Sequence, residues 1–305
     1  MTNERWLALP YADWKDTYGT LHMWTQVVGK IAVRHAAPEN HSWGIAMQVT
    51  PRGLATRTLF HGATPFSFEF DFLAHQLGLK LPGDTSATLD LKPMTVASFY
   101  AEVMRLCADA GLPVQIWTMP VEIQPPAVPV RFDQDTEHQS YDEAAVERFW
   151  RVLSQADRVF RRHRESFVGK CSPVHFFWGS FDLAVTRFSG HQAPPRSPEE
   201  PAFMSEAYTH EVISHGFWPG NEQLPEAIFY SYAAPVPPGL STARVSPDAA
   251  YYLDAMGEFV LPYEAVRTAA DPERAILDFM NSTYEQAAAL AHWDRASLER
   301  PGKTA

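Results

Sequence analysis

Hydrophobic positions along this chain fall into two periodicities, and their alternation predicts its elements. Trp14, Tyr18, Leu21, Thr25 and Val28 follow spacings of four, three, four and three, one buried stripe of a helix over residues 11–29. Pro10 precedes that helix and Gly29 supplies a stop signal. Residues 43–50 then read as a strand closed by the turn Pro51-Arg52-Gly53. Further strands are expected near 54–61, 66–72, 76–81 and 87–91, broken by Gly62, Pro65 and Pro82-Gly83-Asp84. Short strands joined by tight turns imply an antiparallel meander, because parallel pairing needs long crossovers. A helix over 95–109 ends at Gly111 and Pro113, and Val114–Met119 reads as one more strand.

The pattern then restarts. A helix is expected over about 143–167, capped by Ser140 or Asp142, with Phe149, Leu153, Ala156, Phe160 and Phe167 on its apolar face. Strands follow at 175–188, 207–214, 227–233 and 258–261, with a Pro-rich excursion over Gln192–Pro201. Asp271-Pro272-Glu273 opens a last helix that runs to about Ala291, with proline and acids at its positive end. The expected fold class is α+β, built of two internally repeated helix–antiparallel sheet–helix halves. The halves are residues 1–119 and 141–298, joined by a proline-stiffened linker at 120–140 and followed by a tail at 299–305.

Marker residues recur in the same order. Val28-Gly29-Lys30, Trp43-Gly44 and Arg52 match Val168-Gly169-Lys170, Trp178-Gly179 and Arg187, with the arginine nine residues after the tryptophan each time. Asp71 precedes His75, and Glu211 precedes His215, by four residues. A duplicated chain places its ligand site at the seam between the copies.

Composition narrows the functional classes. The 305 residues are 46% hydrophobic and 20% charged, a folded globular composition, with 9 Trp, 11 Tyr and 19 Phe to build cores or pockets. A formal charge of −11 argues against nucleic-acid partners and against docking on anionic lipid. Cys107 and Cys171 are too few for a disulfide framework. The first residues do not read as a secretory signal, and no run of about 18 apolar residues occurs, so a soluble cytoplasmic protein is expected.

Several side chains are candidates for chemistry. His210-Glu211-x-x-x-His215 is one residue too long for the zinc helix motif, and its strand-forming neighbours place Glu211 and His215 on one face with His210 on the other. A divalent metal held by His175 with Glu211 or His215 between neighbouring strands is a geometric option; hydrogen-bonded polar groups at a sheet seam are the competing reading. On one continuous strand, Phe176, Trp178, Ser180, Asp182, Ala184, Thr186 and Phe188 share a face that mixes rings with polar groups, as a pocket wall does. Gly179 suits a close backbone approach by a ligand. Arg187 and Arg52 can clamp an anion through their forked donors, although Arg187 can instead neutralise Asp182. Lys30 and Lys170 read equally as helix C-terminal charges. His22 and Gln26, beside Tyr18, can edge the same pocket. Cys171 lies four residues before His175 but lacks a third catalytic member. No phosphate-binding glycine loop, Cys-x-x-Cys or serine elbow is present, so no nucleotide cofactor is expected.

Four segments carry a family resemblance: residues 9–15 (LPYADWK), 21–30 (LHMWTQVVGK), 117–122 (WTMPVE) and 169–190 (GKCSPVHFFWGSFDLAVTRFSG). Together they resemble the bacterial proteins designated domain of unknown function 5996, over roughly residues 6 to 298. The resemblance implies a bacterial, single-domain-family protein and brings no activity, cofactor or catalytic residue with it. The residues themselves lead to an expectation of a small, anionic and partly aromatic metabolite bound between the halves. His175, Asp182 and Glu211 would supply acid–base groups, and Trp178, Ser180, Arg187, His22 and Arg52 would bind the ligand. A non-catalytic sensor or carrier using the same pocket, or an assembly protein, are the alternatives.

Overall fold

A computed structural model of the chain describes residues 5–83, 86–123, 127–195, 197 and 202–301. Parts of the expected 82–84 turn, the linker, the 192–201 excursion and the tail lie outside these residues. The elements in order are α1 (Lys15–His35), β1 (Gln48–Val49), β2 (Gly53–Ala55), β3 (Leu59–His61), β4 (Thr64–Asp71), β5 (Gln76–Lys80), β6 (Ser86–Asp90) and α2 (Val96–Asp109). They continue with α3 (Glu143–Glu165), β7 (His175–Phe177), β8 (Asp182–Gln192), α4 (Ala202–Ala207), β9 (His210–Trp218) and β10 (Ile228–Ala234). The last are β11 (Tyr251–Leu253), β12 (Glu258–Pro262), α5 (Tyr263–Arg267), α6 (Pro272–Leu290) and α7 (Arg295–Leu298).

The α+β class holds, with two antiparallel sheets. The first runs β1-β2-β4-β5-β6 with β3 paired on β4, and the second runs β11-β12-β10-β9-β8-β7. A pair of backbone hydrogen bonds between Met47 and Phe176, at 2.8 and 2.7 Å, ties the two sheets together. The expected caps are present: Asp142 accepts from Ala144 and Ala145 N–H at the start of α3, and Asp271 accepts from Arg274 N–H at the start of α6.

Helix α1 departs from the expected single buried stripe. It continues beyond Gly29 to His35, and nearly every residue from Thr17 to Ala32 is buried. Gly29 is therefore not a stop. A Cβ there would lie 2.2 Å from the Trp178 indole, so glycine allows that ring to rest on the helix backbone. A helix buried on all sides lies inside the fold rather than on a sheet face. Its polar residues must then find partners within the protein.

The expected strand 175–188 is two strands. Residues 178–181 form a turn, with Phe181 in the left-handed region at φ 60°, and β7 folds back on β8 with His175 opposite Ala184 and Phe177 opposite Asp182. Trp43 lies in a turn, the 54–61 run is split between β2 and β3, and 114–119 joins no ladder. The marker residues of the two halves also occupy different settings. Gly29 is inside a helix while Gly169 follows one; Arg52 is exposed in a turn while Arg187 is buried in β8; His75 is in the β4–β5 turn while His215 is in mid-strand. Matching sequence order thus does not translate into matching positions.

Pairing registers sort the second sheet into two faces. Leu183, Val185, Arg187, Ile213, His215, Phe217, Phe229 and Ser231 face α3 and α6. His175, Phe177, Asp182, Thr186, Ser214, Gly216, Tyr230 and Tyr232 lie on the other face.

Candidate functional site

The site begins with the polar side chains of α1. His22 Nε2–H donates to the Gly179 carbonyl at 2.8 Å, inside the β7–β8 turn. One helical turn later, Gln26 grips the backbone of Val121. Its Oε1 accepts from Val121 N–H at 2.8 Å, and its Nε2–H donates to Val121 C=O at 2.9 Å. Another turn on, the Lys30 ammonium lies 4.4 Å from the Trp117 ring centre. Three of the four segments that carry the family resemblance therefore meet at this point, although more than ninety residues separate His22 from Val121. Tyr18 packs edge-on against Phe181 at 4.9 Å, and Trp178 Nε1–H donates to Ile45 C=O at 2.9 Å, so rings fix the turn from both sides.

This framework presents Glu122. Its φ is 57°, a left-handed backbone that a residue with a Cβ adopts only when its surroundings impose it. The imposed geometry brings Glu122 onto the turn: a Cβ at Gly179 would lie 2.2 Å from Glu122 Oε1. The close approach expected at Gly179 is thus made by a carboxyl group of the chain itself.

Asp182 begins β8 beside this turn and is 6% exposed. It accepts hydrogen bonds from the Ser180 and Tyr230 hydroxyls. Tyr230 stacks on Tyr232 with ring centres 6.1 Å apart, Tyr232 OH and Tyr208 OH are 3.0 Å apart, and Thr186 and Ser214 hydroxyls are 2.9 Å apart. Glu258, at the start of β12, is the third acid close enough to feel Asp182.

The electrostatics of the three acids agree. Burial raises the Asp182 pKa against the pull of its two hydroxyl donors. Crowding by protein, followed by the charge of Asp182, pushes Glu122 and Glu258 up to about 7. Yet Glu122 is solvent-exposed, and Tyr230, Tyr232 and Glu258 keep partial solvent contact. Among the described residues, no lysine or arginine forms an ion pair with any of the three acids. Two carboxyls poised near neutrality can each give or take a proton at physiological pH.

The structure brings together His22, Trp178, Ser180 and Asp182 from the expected set. His175 shares the sheet face of Asp182 but is 3% exposed, packed edge-on to Phe177 at 4.5 Å, and held neutral by burial that lowers its pKa to about 3. Arg187 is on the opposite face, 2% exposed. It donates to His163 C=O at 2.6 Å and Ser166 Oγ at 3.0 Å, with the Phe167 and Tyr284 rings 4.9 and 4.3 Å away. It therefore shares no surface with Asp182, because residues an odd number apart on a strand point oppositely. Glu211 pairs with His191 at 3.6 Å, nine positions along β8 from Asp182, which is roughly 30 Å at about 3.3 Å per residue. His215 also faces the helices, with Nε2 3.1 Å from Thr283 Oγ1. The suggested metal set of His175, Glu211 and His215 is thus dispersed, and among the described residues no group of three His, Cys, Asp or Glu is arranged to hold a metal ion. Arg52 pairs with Asp71 at the surface, and Lys170 donates to His41 Nε2 at 2.8 Å. Burial raises the Cys171 pKa, which opposes a thiolate role.

Sequence reasoning missed Glu122, Glu258, Tyr230 and Tyr232 as site residues. For Glu122 a signal was present, since it closes the 117–122 segment. Two open surface concavities, one beside the end of α1 and one beside its start, contain none of the cluster's residues.

A family model described as "Family of unknown function (DUF5996)" matches residues 6–300. No curated protein matches the chain, and no solved structure does.

Proposed function

The chain belongs to the family of unknown function DUF5996, and on the geometry of its site we propose that it binds a small hydroxylated or cationic molecule where α1, the 117–123 segment and the β7–β8 hairpin meet. The observation that carries this reading is the set of three acids, a buried Asp182 with the water-reached Glu122 and Glu258 crowded near it, none of them with a cationic partner among the described residues. Such an arrangement costs folding free energy unless it is used, and strained backbone and shifted carboxyl groups concentrate at functional sites. The surface offers carboxylate acceptors and stacked tyrosine rings, both of which suit an ammonium or polyol better than an anion. The anionic ligand expected from Arg187 is not carried into this proposal, because Arg187 faces the helices.

Proton transfer is the chemistry that the acids support. Glu122 or Glu258 would exchange a proton with the ligand while Asp182, fixed by Ser180 and Tyr230, holds it in place. A binding role without turnover uses the same contacts. The site draws on both halves, and their shared helix–sheet–helix order supports descent by duplication even though the marker residues have diverged in position. A net charge of −11 supports a small-molecule rather than nucleic-acid partner, and the two free cysteines suit a reducing compartment such as the cytoplasm.

The test is ligand identification followed by substitution. Molecules that co-purify with the protein are identified by mass spectrometry, and matched alkylamines, polyols and carboxylates are compared by thermal shift. Stabilisation by amines or polyols that disappears in Asp182→Asn supports the proposal. Preferential stabilisation by carboxylates, unaffected in Asp182→Asn, would overturn it.

A further inference from the structure

A second feature lies at the other end of α1, about thirteen residues and roughly 20 Å from His22 at 1.5 Å per residue. A groove of about 880 Å³ is lined by Arg34, His35, His61, Met104, Ala108, Pro113, Val114 and Gln115. Its walls differ in character. Arg34 and His35 come from the last turn of α1 and His61 from β3, while Met104 and Ala108 of α2 and Val114 after it form an apolar side. Exposed Val33 and Phe60, at 52% and 53%, adjoin the basic side in sequence.

The basic wall is unsatisfied in two ways. Several helical arginines in this acidic protein have an acid within one turn, such as Arg105 with Glu102, Arg151 with Glu147, Arg161 with Asp157 and Arg274 with Asp278. Arg34 has none among the described residues, and the residue one turn before it is Lys30. The His35 ring donates from Nδ1 to Phe60 C=O at 3.2 Å, which leaves Nε2 as a buried nitrogen with no partner. The His61 ring stands 5.5 Å from it. An unpaired guanidinium and two imidazoles thus stand together on one wall of the groove, opposite an apolar one.

We propose that this groove is a binding site for an organic anion with an apolar body, distinct from the acidic cluster beside the β7–β8 hairpin. Arg34 donates to the anionic oxygens, His61 and His35 close around them, and the hydrocarbon part lies along Met104, Ala108 and Val114. Of the groove's lining, only Arg34, His35 and His61 carry charge or titrate; α2 and the 113–115 segment contribute none.

The experiment titrates the full chain with octyl phosphate, inorganic phosphate and octyltrimethylammonium, observing the imidazole resonances of His35 and His61. Octyl phosphate should shift both saturably. Inorganic phosphate should bind at least about tenfold more weakly, and the cation should not bind. Arg34→Gln, a change at an exposed position, should weaken octyl phosphate by about tenfold or more, the effect of losing a charged hydrogen bond. His61→Gln, on a different element, should also weaken it and serves if Arg34→Gln fails to fold. Absence of a saturable shift, equal binding of inorganic phosphate or of the cation, or unchanged affinity in the variants would overturn the proposal.

Discussion

Replacing Gln26 with leucine tests how the site is assembled. The substitution nearly conserves volume in a side chain that is fully buried, and it removes both hydrogen bonds to Val121, at 2.8 and 2.9 Å. The backbone N–H and C=O of Val121 are then left without their partner. Leaving a buried group unpaired costs about 1–3 kcal/mol, and Val121 is only half-buried, so water recovers part of it. The expected loss is about 2–4 kcal/mol for the pair. In a chain of this size about 2 °C accompanies each kcal/mol, so the melting temperature should fall by roughly 4–8 °C. The 117–123 segment should loosen more than the fold. Amide exchange at Val121 should accelerate while the amides of β8 and β9 remain protected. A variant that melts like the wild type, with Val121 still protected, would show that Gln26 does not hold this segment and would refute the reasoning.

Other expectations follow from the same geometry. Gly29→Ala gains about 1 kcal/mol of helix propensity but drives a Cβ to 2.2 Å from Trp178, so net destabilisation of about 1–3 kcal/mol is expected by denaturant unfolding, and a more stable variant would contradict the packing. Arg187→Ala should cost about 3–5 kcal/mol through a cavity and unpaired groups in the α3–sheet interior, while ligand binding at Asp182 persists in the folded fraction; loss of binding without loss of stability would count against its structural role. His22 and His175 have pKa values lowered to about 4 and about 3 by burial, so they favour the folded state above pH 6.5, and that contribution is lost as pH falls toward 3. His175→Leu should therefore flatten the decline in stability below pH 6.5, as read from urea midpoints. Glu122 has the opposite sign: its raised pKa gives a stabilising contribution present below pH 4.5 that is lost as pH rises through about 7, so Glu122→Gln should be relatively more stable than wild type at pH 8 than at pH 4.5.

The helices were legible because their information is local. Asp142 and Asp271 cap α3 and α6 as their positions predict, and the Phe149–Phe160 stripe is the buried face of α3. Helix α1 was underestimated because one apolar stripe looks the same whether the opposite side meets water or protein. Thr20 and Thr25 are satisfied by carbonyls of the preceding turn, but His22 and Gln26 are satisfied by distant backbone groups that no short window contains. The 175–188 run concealed a hairpin because its turn residues, Trp178-Gly179-Ser180-Phe181, keep the aromatic alternation of a strand. That error mattered for the site, since it treated Gly179 and Phe181 as strand positions. The opposition of Asp182 and Arg187 was nonetheless readable from their odd spacing. Glu258 and Tyr230 reach Asp182 only through the order of the second sheet, a long-range fact that spacing along the chain does not encode.

The most direct measurement is a carbon-13 titration of the Glu122 and Glu258 side-chain carboxyls in the wild type and in Asp182→Asn. If the three acids share one crowded surface, both glutamates titrate near pH 7 in the wild type, and both move downward once the Asp182 charge is removed. Titration of both near the ordinary 4.5, unchanged by Asp182→Asn, would contradict the cluster and the function built on it.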